Sequence, residues 1–102
     1  MSIKKSYAKN KPICKVTFRL DGRIANSAEN AFVVGEFNNW STTATPMTRL
    51  KNGAFTATLD MERGKEYQFR YLLAENQWEN DPQADKEVDT PYGDSRNSVI
   101  IL

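Results

Sequence analysis

The chain has 102 residues, enough for one domain around a single hydrophobic core and too few for two. Hydrophobic residues at 39% and charged residues at 26% describe an ordinary globular composition, and a formal net charge of +1 supplies no global field to gather nucleic acid or an anionic membrane. The single cysteine, Cys14, excludes an internal disulfide and suits a reducing compartment; with no apolar run long enough for a signal peptide or a membrane span, the expectation is a cytoplasmic protein.

Lys4, Lys5, Lys9 and Lys11 make the first dozen residues basic and show no alternation, so residues 1–11 are expected to form a loose tail ahead of a folded domain at 12–102. From there the period is two. Cys14, Val16, Phe18 and Leu20 point one way and Lys15, Thr17 and Arg19 the other. Ala31 to Val34 is a short apolar run. Phe55, Ala57, Leu59 and Met61 alternate against Thr56, Thr58 and Asp60, and Tyr67, Phe69, Tyr71 and Leu73 against Gln68, Arg70 and Leu72. Ser98 to Leu102 closes the chain as a last strand. Turn signals separate these runs at Asp21-Gly22, Asn52-Gly53, Arg63-Gly64 and Pro91-Tyr92-Gly93-Asp94, and no stretch keeps a helical period. The pattern predicts five to seven short antiparallel strands in one all-β, immunoglobulin-like sandwich.

Both tryptophans fall where the strand pattern breaks, Trp40 in Gly35-Glu36-Phe37-Asn38-Asn39-Trp40-Ser41 and Trp78 in Gln77-Trp78-Glu79-Asn80-Asp81-Pro82. A flat apolar ring beside amides and charges is suited to stacking on the C–H face of a pyranose while its neighbours bond the hydroxyls. The competing reading makes either ring the buried core Trp of a sandwich. Arg70, on the face opposite Tyr67, Phe69 and Tyr71, reads either as a solvent-facing strand cation or as a planar fork between two aromatic platforms. The segment Tyr92 to Asn97 adds an aromatic and several polar groups, and reads equally as a plain connection into the last strand.

Taken in order, Gly35-Glu36-Phe37-Asn38-Asn39-Trp40, Pro46-Met47, Gly53-Ala54-Phe55, Tyr67-Gln68-Phe69-Arg70-Tyr71 and Trp78-Glu79-Asn80-Asp81-Pro82 resemble the family-48 carbohydrate-binding module, also called the isoamylase N-terminal or early-set domain. The same pattern is found in the glycogen-binding domain of the AMP-activated protein kinase β subunit. The resemblance runs from about Val16 to Leu102. It implies an early-set sandwich that binds α-glucan, whether glycogen, starch-like polymer or maltooligosaccharide. Trp40 and Trp78 match the family's two stacking tryptophans, and Arg70 stands where the family has Lys. Tyr92, Gly93, Ser95 and Asn97 match its binding loop. That loop is one residue longer between Gly93 and Asn97, which leaves the hydroxyl-binding place open to Asp94 or Ser95. The carbohydrate-binding residues so implied are Trp40, Arg70, Trp78, Tyr92, Ser95 and Asn97.

Catalysis finds little support. The chain has no His to serve as a triad base, and Cys14 lies on an inward strand face where a thiol is inert. Glycoside hydrolysis needs two carboxylates across a cleft, whereas Asp81, Asp85, Glu87, Asp89 and Asp94 sit among turn residues and read as solvated surface. No Cys/His cluster or Asp-rich loop has metal-ligand spacing, so no cofactor or metal is expected. A glycosidase label would reflect multidomain relatives rather than these residues. Because the sequence begins with Met and stops within its last strand, the expectation is a module acting alone, non-catalytically, on α-glucan. The alternative is an interaction domain that docks onto a glucan-metabolising enzyme or regulator through strand edges and the basic tail.

Overall fold

In the computed structural model, which describes residues 3–25, 28–73, 77–90 and 95–102, the elements run β1 (Ile3–Tyr7), β2 (Ile13–Leu20), a one-turn helix α1 (Gly22–Ala25), β3 (Ala31–Gly35), a 3-10 turn (Glu36–Asn38), β4 (Thr48–Arg49), β5 (Phe55–Glu62), β6 (Glu66–Leu73), β7 (Gln77–Glu79), β8 (Lys86–Asp89) and β9 (Arg96–Ile101). All strand pairs are antiparallel. One sheet is ordered β1-β2-β5-β4 and the other β3-β6-β9-β8, with β7 also on β6. This is the expected immunoglobulin-like sandwich.

Alternation in sequence becomes alternation of burial. Cys14, Val16, Phe18 and Leu20 of β2 are all buried, as are Phe69, Tyr71 and Leu73 of β6, and the two sets meet in one core with Val33, Phe55, Met61 and Ile100. Phe18 is the hub: its ring lies 5.1 Å from Phe69, 5.7 Å from Phe37 and 6.4 Å from Tyr71, edge-on to Phe69 and Tyr71. Aromatic contacts of this geometry add about 0.5–1.5 kcal/mol each beyond their area.

Two of the predicted turns form where expected, while Asp21-Gly22 leads into the one-turn helix α1. Gly53 at φ 87° and Gly64 at φ 78° supply the left-handed residues that close β4 to β5 and β5 to β6, conformations that favour glycine. Asn52 Oδ1 accepts the Ala54 N–H at 3.0 Å, the local bond that Asn brings to a turn. The Pro91 to Asp94 turn lies outside the described residues.

Two expectations are corrected. Nine strands are described rather than five to seven, because β1, β4, β7 and β8 lack the apolar alternation that marks a half-buried strand. The basic N-terminal segment is also not a loose tail over its whole length. Residues 3–7 pair with β2 in the register Ile3↔Phe18 to Tyr7↔Cys14. Lys5 holds β1 to the opposite sheet, its Nζ donating to Asp85 Oδ2 at 2.7 Å and to the Ile101 carbonyl at 2.9 Å. Ile101 N–H donates to the same Asp85 oxygen at 2.7 Å. Burial pushes the Asp85 carboxyl up, but the Lys5 and Ile101 hydrogen bonds and the Lys5 charge outweigh it and hold the group below the usual carboxylate range.

The outward face of β6 lies between the two tryptophan-bearing segments. Strand β3 borders one edge of β6, while β9 borders the other along Glu66–Phe69 and β7 along Tyr71–Leu73. Gln68, Arg70 and Leu72 therefore face away from the core, between the segment that carries Trp40 and the strand that carries Trp78.

Candidate functional site

Gly35 ends β3 where the backbone must touch its neighbour. A Cβ there would lie 2.5 Å from the Gln68 carbonyl oxygen and 2.8 Å from Phe69 Cβ, so a side chain would force the strands apart. Beyond Gly35 the chain leaves the sheet and Gln68 N–H loses its strand partner. The Glu36 carboxylate replaces it, accepting that N–H through Oε1 at 2.7 Å.

Asn38 locks the adjoining turn. Its Oδ1 accepts from Gly35 N–H at 3.1 Å, and its Nδ2 donates to the Val33 carbonyl and to Thr45 Oγ1, both at 3.0 Å. Asn39 and Trp40 then adopt φ 57° and 58°. Left-handed backbone is common for Asn and a genuine outlier for Trp, at about 1–3 kcal/mol. It is held there by Trp40 N–H donating to the Gly35 carbonyl at 2.8 Å and Ser41 N–H donating to the Asn38 carbonyl at 3.2 Å. The local structure gives up stability to keep the Trp40 ring out of the core, where it is 38% exposed.

Trp78 reaches the same face by another route. It pairs with Leu72 in β7, and so projects outward with Arg70 and Gln68. The end of β7 is pinned to β9: Asn80 Nδ2 donates to the Arg96 carbonyl at 3.0 Å, Ser98 Oγ donates to Asn80 Oδ1 at 2.8 Å, and Asp81 N–H donates to Ser98 Oγ at 2.9 Å. Trp78 is also 38% exposed. The core-Trp reading is thereby excluded for both rings; Tyr71, Phe18, Phe55 and Phe69 fill that role instead.

Between the rings lies a surface groove of about 500 Å³ lined by Glu36, Trp40, Gln68, Arg70, Trp78, Thr90, Ser95 and Asn97. Its floor is a fixed polar chain. Arg70 Nε donates to Asn97 Oδ1 at 2.6 Å, and Asn97 Nδ2 donates to Gln68 Oε1 at 2.9 Å. Val34 and Val99, the cross-strand partners of Arg70 and Gln68, are buried as well, so the polar chain rests on packed apolar ground. Ser95 is held beside it, its carbonyl accepting Thr90 N–H at 3.1 Å.

Of the residues singled out in the sequence, Trp40, Arg70, Trp78, Ser95 and Asn97 converge on this groove; Tyr92 and Asp94 lie outside the described residues. Glu36, Gln68 and Thr90 line it too and were missed. Gln68 was detectable, since it precedes Arg70 by two on the same strand and must share its outward face. Glu36 gave only its place within the Trp40 segment.

Asp81 requires a correction. Far from being solvated surface, it is 1% exposed, with Oδ2 accepting the Tyr71 hydroxyl at 2.6 Å and Oδ1 accepting Gln83 N–H at 2.8 Å. Burial, with the Asp81 charge and hydrogen bond added, drives the Tyr71 phenol far above its ordinary range, so it stays a protonated donor. The carboxylate is a brace inside the fold. Cys14 is a buried free thiol, as expected. Among the described residues no group of His, Cys, Asp and Glu could hold a metal ion, and no helix is long and apolar enough to cross a membrane.

The family profile for carbohydrate-binding module 48 (isoamylase N-terminal domain) matches residues 14–92. A search of curated protein sequences finds no match.

Proposed function

The chain belongs to the carbohydrate-binding module 48 family, and from that premise we propose that it binds α-glucan chains such as glycogen, starch-like polymer or maltooligosaccharide without acting on them chemically. One observation carries this reading. Two half-exposed tryptophans, one held out by strained backbone, share a groove with a cation whose Nε is already fixed to Asn97. Each indole is a platform for the C–H face of a glucose ring. With Nε committed and the Nη groups without a partner among the described residues, Arg70 can donate through Nη to sugar hydroxyls. Gln68, Ser95 and Asn97 add further polar positions, and Tyr92 belongs to the same set by family resemblance.

The non-catalytic role rests on the carboxylates. Among the described residues lining the groove, Glu36 is the single acid, whereas hydrolysis of a glycosidic bond by the usual route needs two. Asp81 is committed to Tyr71 and Gln83. A role as a docking domain for a glucan-metabolising enzyme is weakened as an alternative, because Lys5 of the basic segment is tied to Asp85. Cytoplasmic residence completes the proposal, supported by the single buried thiol.

Stacking at about 1–3 kcal/mol per ring in a shallow site gives micromolar to millimolar affinity that rises with chain length. Isothermal titration with maltoheptaose tests the reading. Wild type should bind, and Trp40→Ala and Trp78→Ala should each weaken binding about tenfold or more while leaving stability nearly unchanged, since both rings are half-exposed. Equal heats from wild type and both variants, or none from any, would overturn it.

A further inference from the structure

The groove carries one carboxylate and one guanidinium among its described residues, and they do not pair with each other. Arg70 is tied to Asn97, in β9. Glu36 belongs to the Trp40 turn, with one oxygen held by the Gln68 backbone N–H and no hydrogen-bond donor on the other among the described residues. No cation within salt-bridge distance neutralises it among those residues. Its position is therefore set by the backbone of β6, and it lines the groove with no ion pair to cancel its charge among the described residues.

We infer that Glu36 is a specificity-determining residue that makes the groove select neutral glucan segments against phosphorylated or otherwise anionic ones. A hydroxyl-rich, uncharged chain satisfies both charged groups of the groove, since each hydroxyl can donate to Glu36 or accept from Arg70. Hydrogen bonds to an ionised acceptor are about twice as strong as neutral ones. An anionic substituent placed nearer Glu36 than Arg70 meets a like charge that no ion pair among the described residues cancels, and an unpaired charge against the wrong ligand is an effective way to discriminate. The simpler role for Glu36 is to cap the orphan N–H of Gln68. That role needs an acceptor oxygen and no charge, so the two roles separate by substitution.

This inference rests on the α-glucan reading, and the experiment distinguishes failure of one from failure of the other. Glu36→Gln keeps a carbonyl oxygen for the Gln68 N–H and removes the charge, so the fold should be retained with at most a small drop in melting temperature from the weaker bond. Titrations would compare maltoheptaose with maltoheptaose phosphorylated at O6. In Glu36→Gln the ratio of the two affinities should shift about fivefold towards the phosphorylated sugar at low salt, the size expected for two like charges within a nanometre in a surface groove. The shift should shrink at high salt, which a purely structural role would not produce. If wild type binds maltoheptaose and the affinity ratio in Glu36→Gln is unchanged, the inference is overturned while the glucan reading stands. If wild type binds neither sugar, the glucan reading falls and the inference with it.

Discussion

Arg70 and Asn97 are joined by a 2.6 Å hydrogen bond from Nε to Oδ1, made between β6 and β9 just beyond the last paired residues, Phe69 and Ser98. The bond changes what Asn97 does. With Oδ1 accepting from Arg70 and Nδ2 donating to Gln68, and with only 9% of the residue exposed, Asn97 acts mainly by positioning two neighbours.

Asn97→Ala should therefore weaken maltoheptaose binding severalfold and lower stability by about 1–2 kcal/mol, because Arg70 and Gln68 both lose a largely buried partner. Asn97→Asp keeps the acceptor for Arg70 and should recover most of the binding. Titration and urea denaturation of the two variants check both effects. If Asp rescues no better than Ala, the positioning role is wrong.

Tyr71→Phe leaves the groove untouched but strips Asp81 of its buried hydroxyl donor. The expected loss is about 1.5–3 kcal/mol, the range for a hydrogen bond to a charged group. Maltoheptaose affinity should hold at temperatures where the variant is folded. The raised Tyr71 pKa also has a sign. A phenol that is harder to ionise in the folded state contributes stability that is present below the unfolded tyrosine value of about 10 and is lost as pH rises above it. Absorbance titration should find Tyr71 silent until alkaline unfolding.

The Lys5–Asp85 pair gives the opposite sign. Asp85 is depressed in the fold, so its contribution is present above the unfolded carboxylate value of about 4 and is lost as pH falls through the lower folded value. The pair is partly exposed, which limits it to about 0.2–1 kcal/mol. The readout is local: hydrogen-exchange protection factors in β1, taken against the intrinsic rate at each pH, should fall on acidification in wild type, and Lys5→Met should show low protection in β1 across the range. Identical acid profiles for the two proteins would show that the latch does not hold β1.

The fold was legible because a sandwich writes its faces into period-two alternation. The alternation in β2, β5 and β6, with the turns at Gly53 and Gly64, was enough to place most of the core. Strands β1, β4, β7 and β8 left no such mark, since they lie at sheet margins where pairing is decided by backbone geometry and not by burial. The N-terminal lysines mislead for the same reason: charge along a strand edge looks like a solvated tail until its partner is known.

The site divided along the same line. Residue types and spacing alone nominated Trp40, Trp78 and Arg70, and alternation put Arg70 outward. Only the tertiary structure decided that both rings stand clear of the core, that Asn97 is committed to Arg70 and Gln68, that Asp81 is an internal brace, and that Glu36 enters the groove. Those outcomes depend on which strands flank β6 and where β3 ends. Contacts between residues far apart in sequence are fixed by the register of the sheets, and no local pattern encodes them.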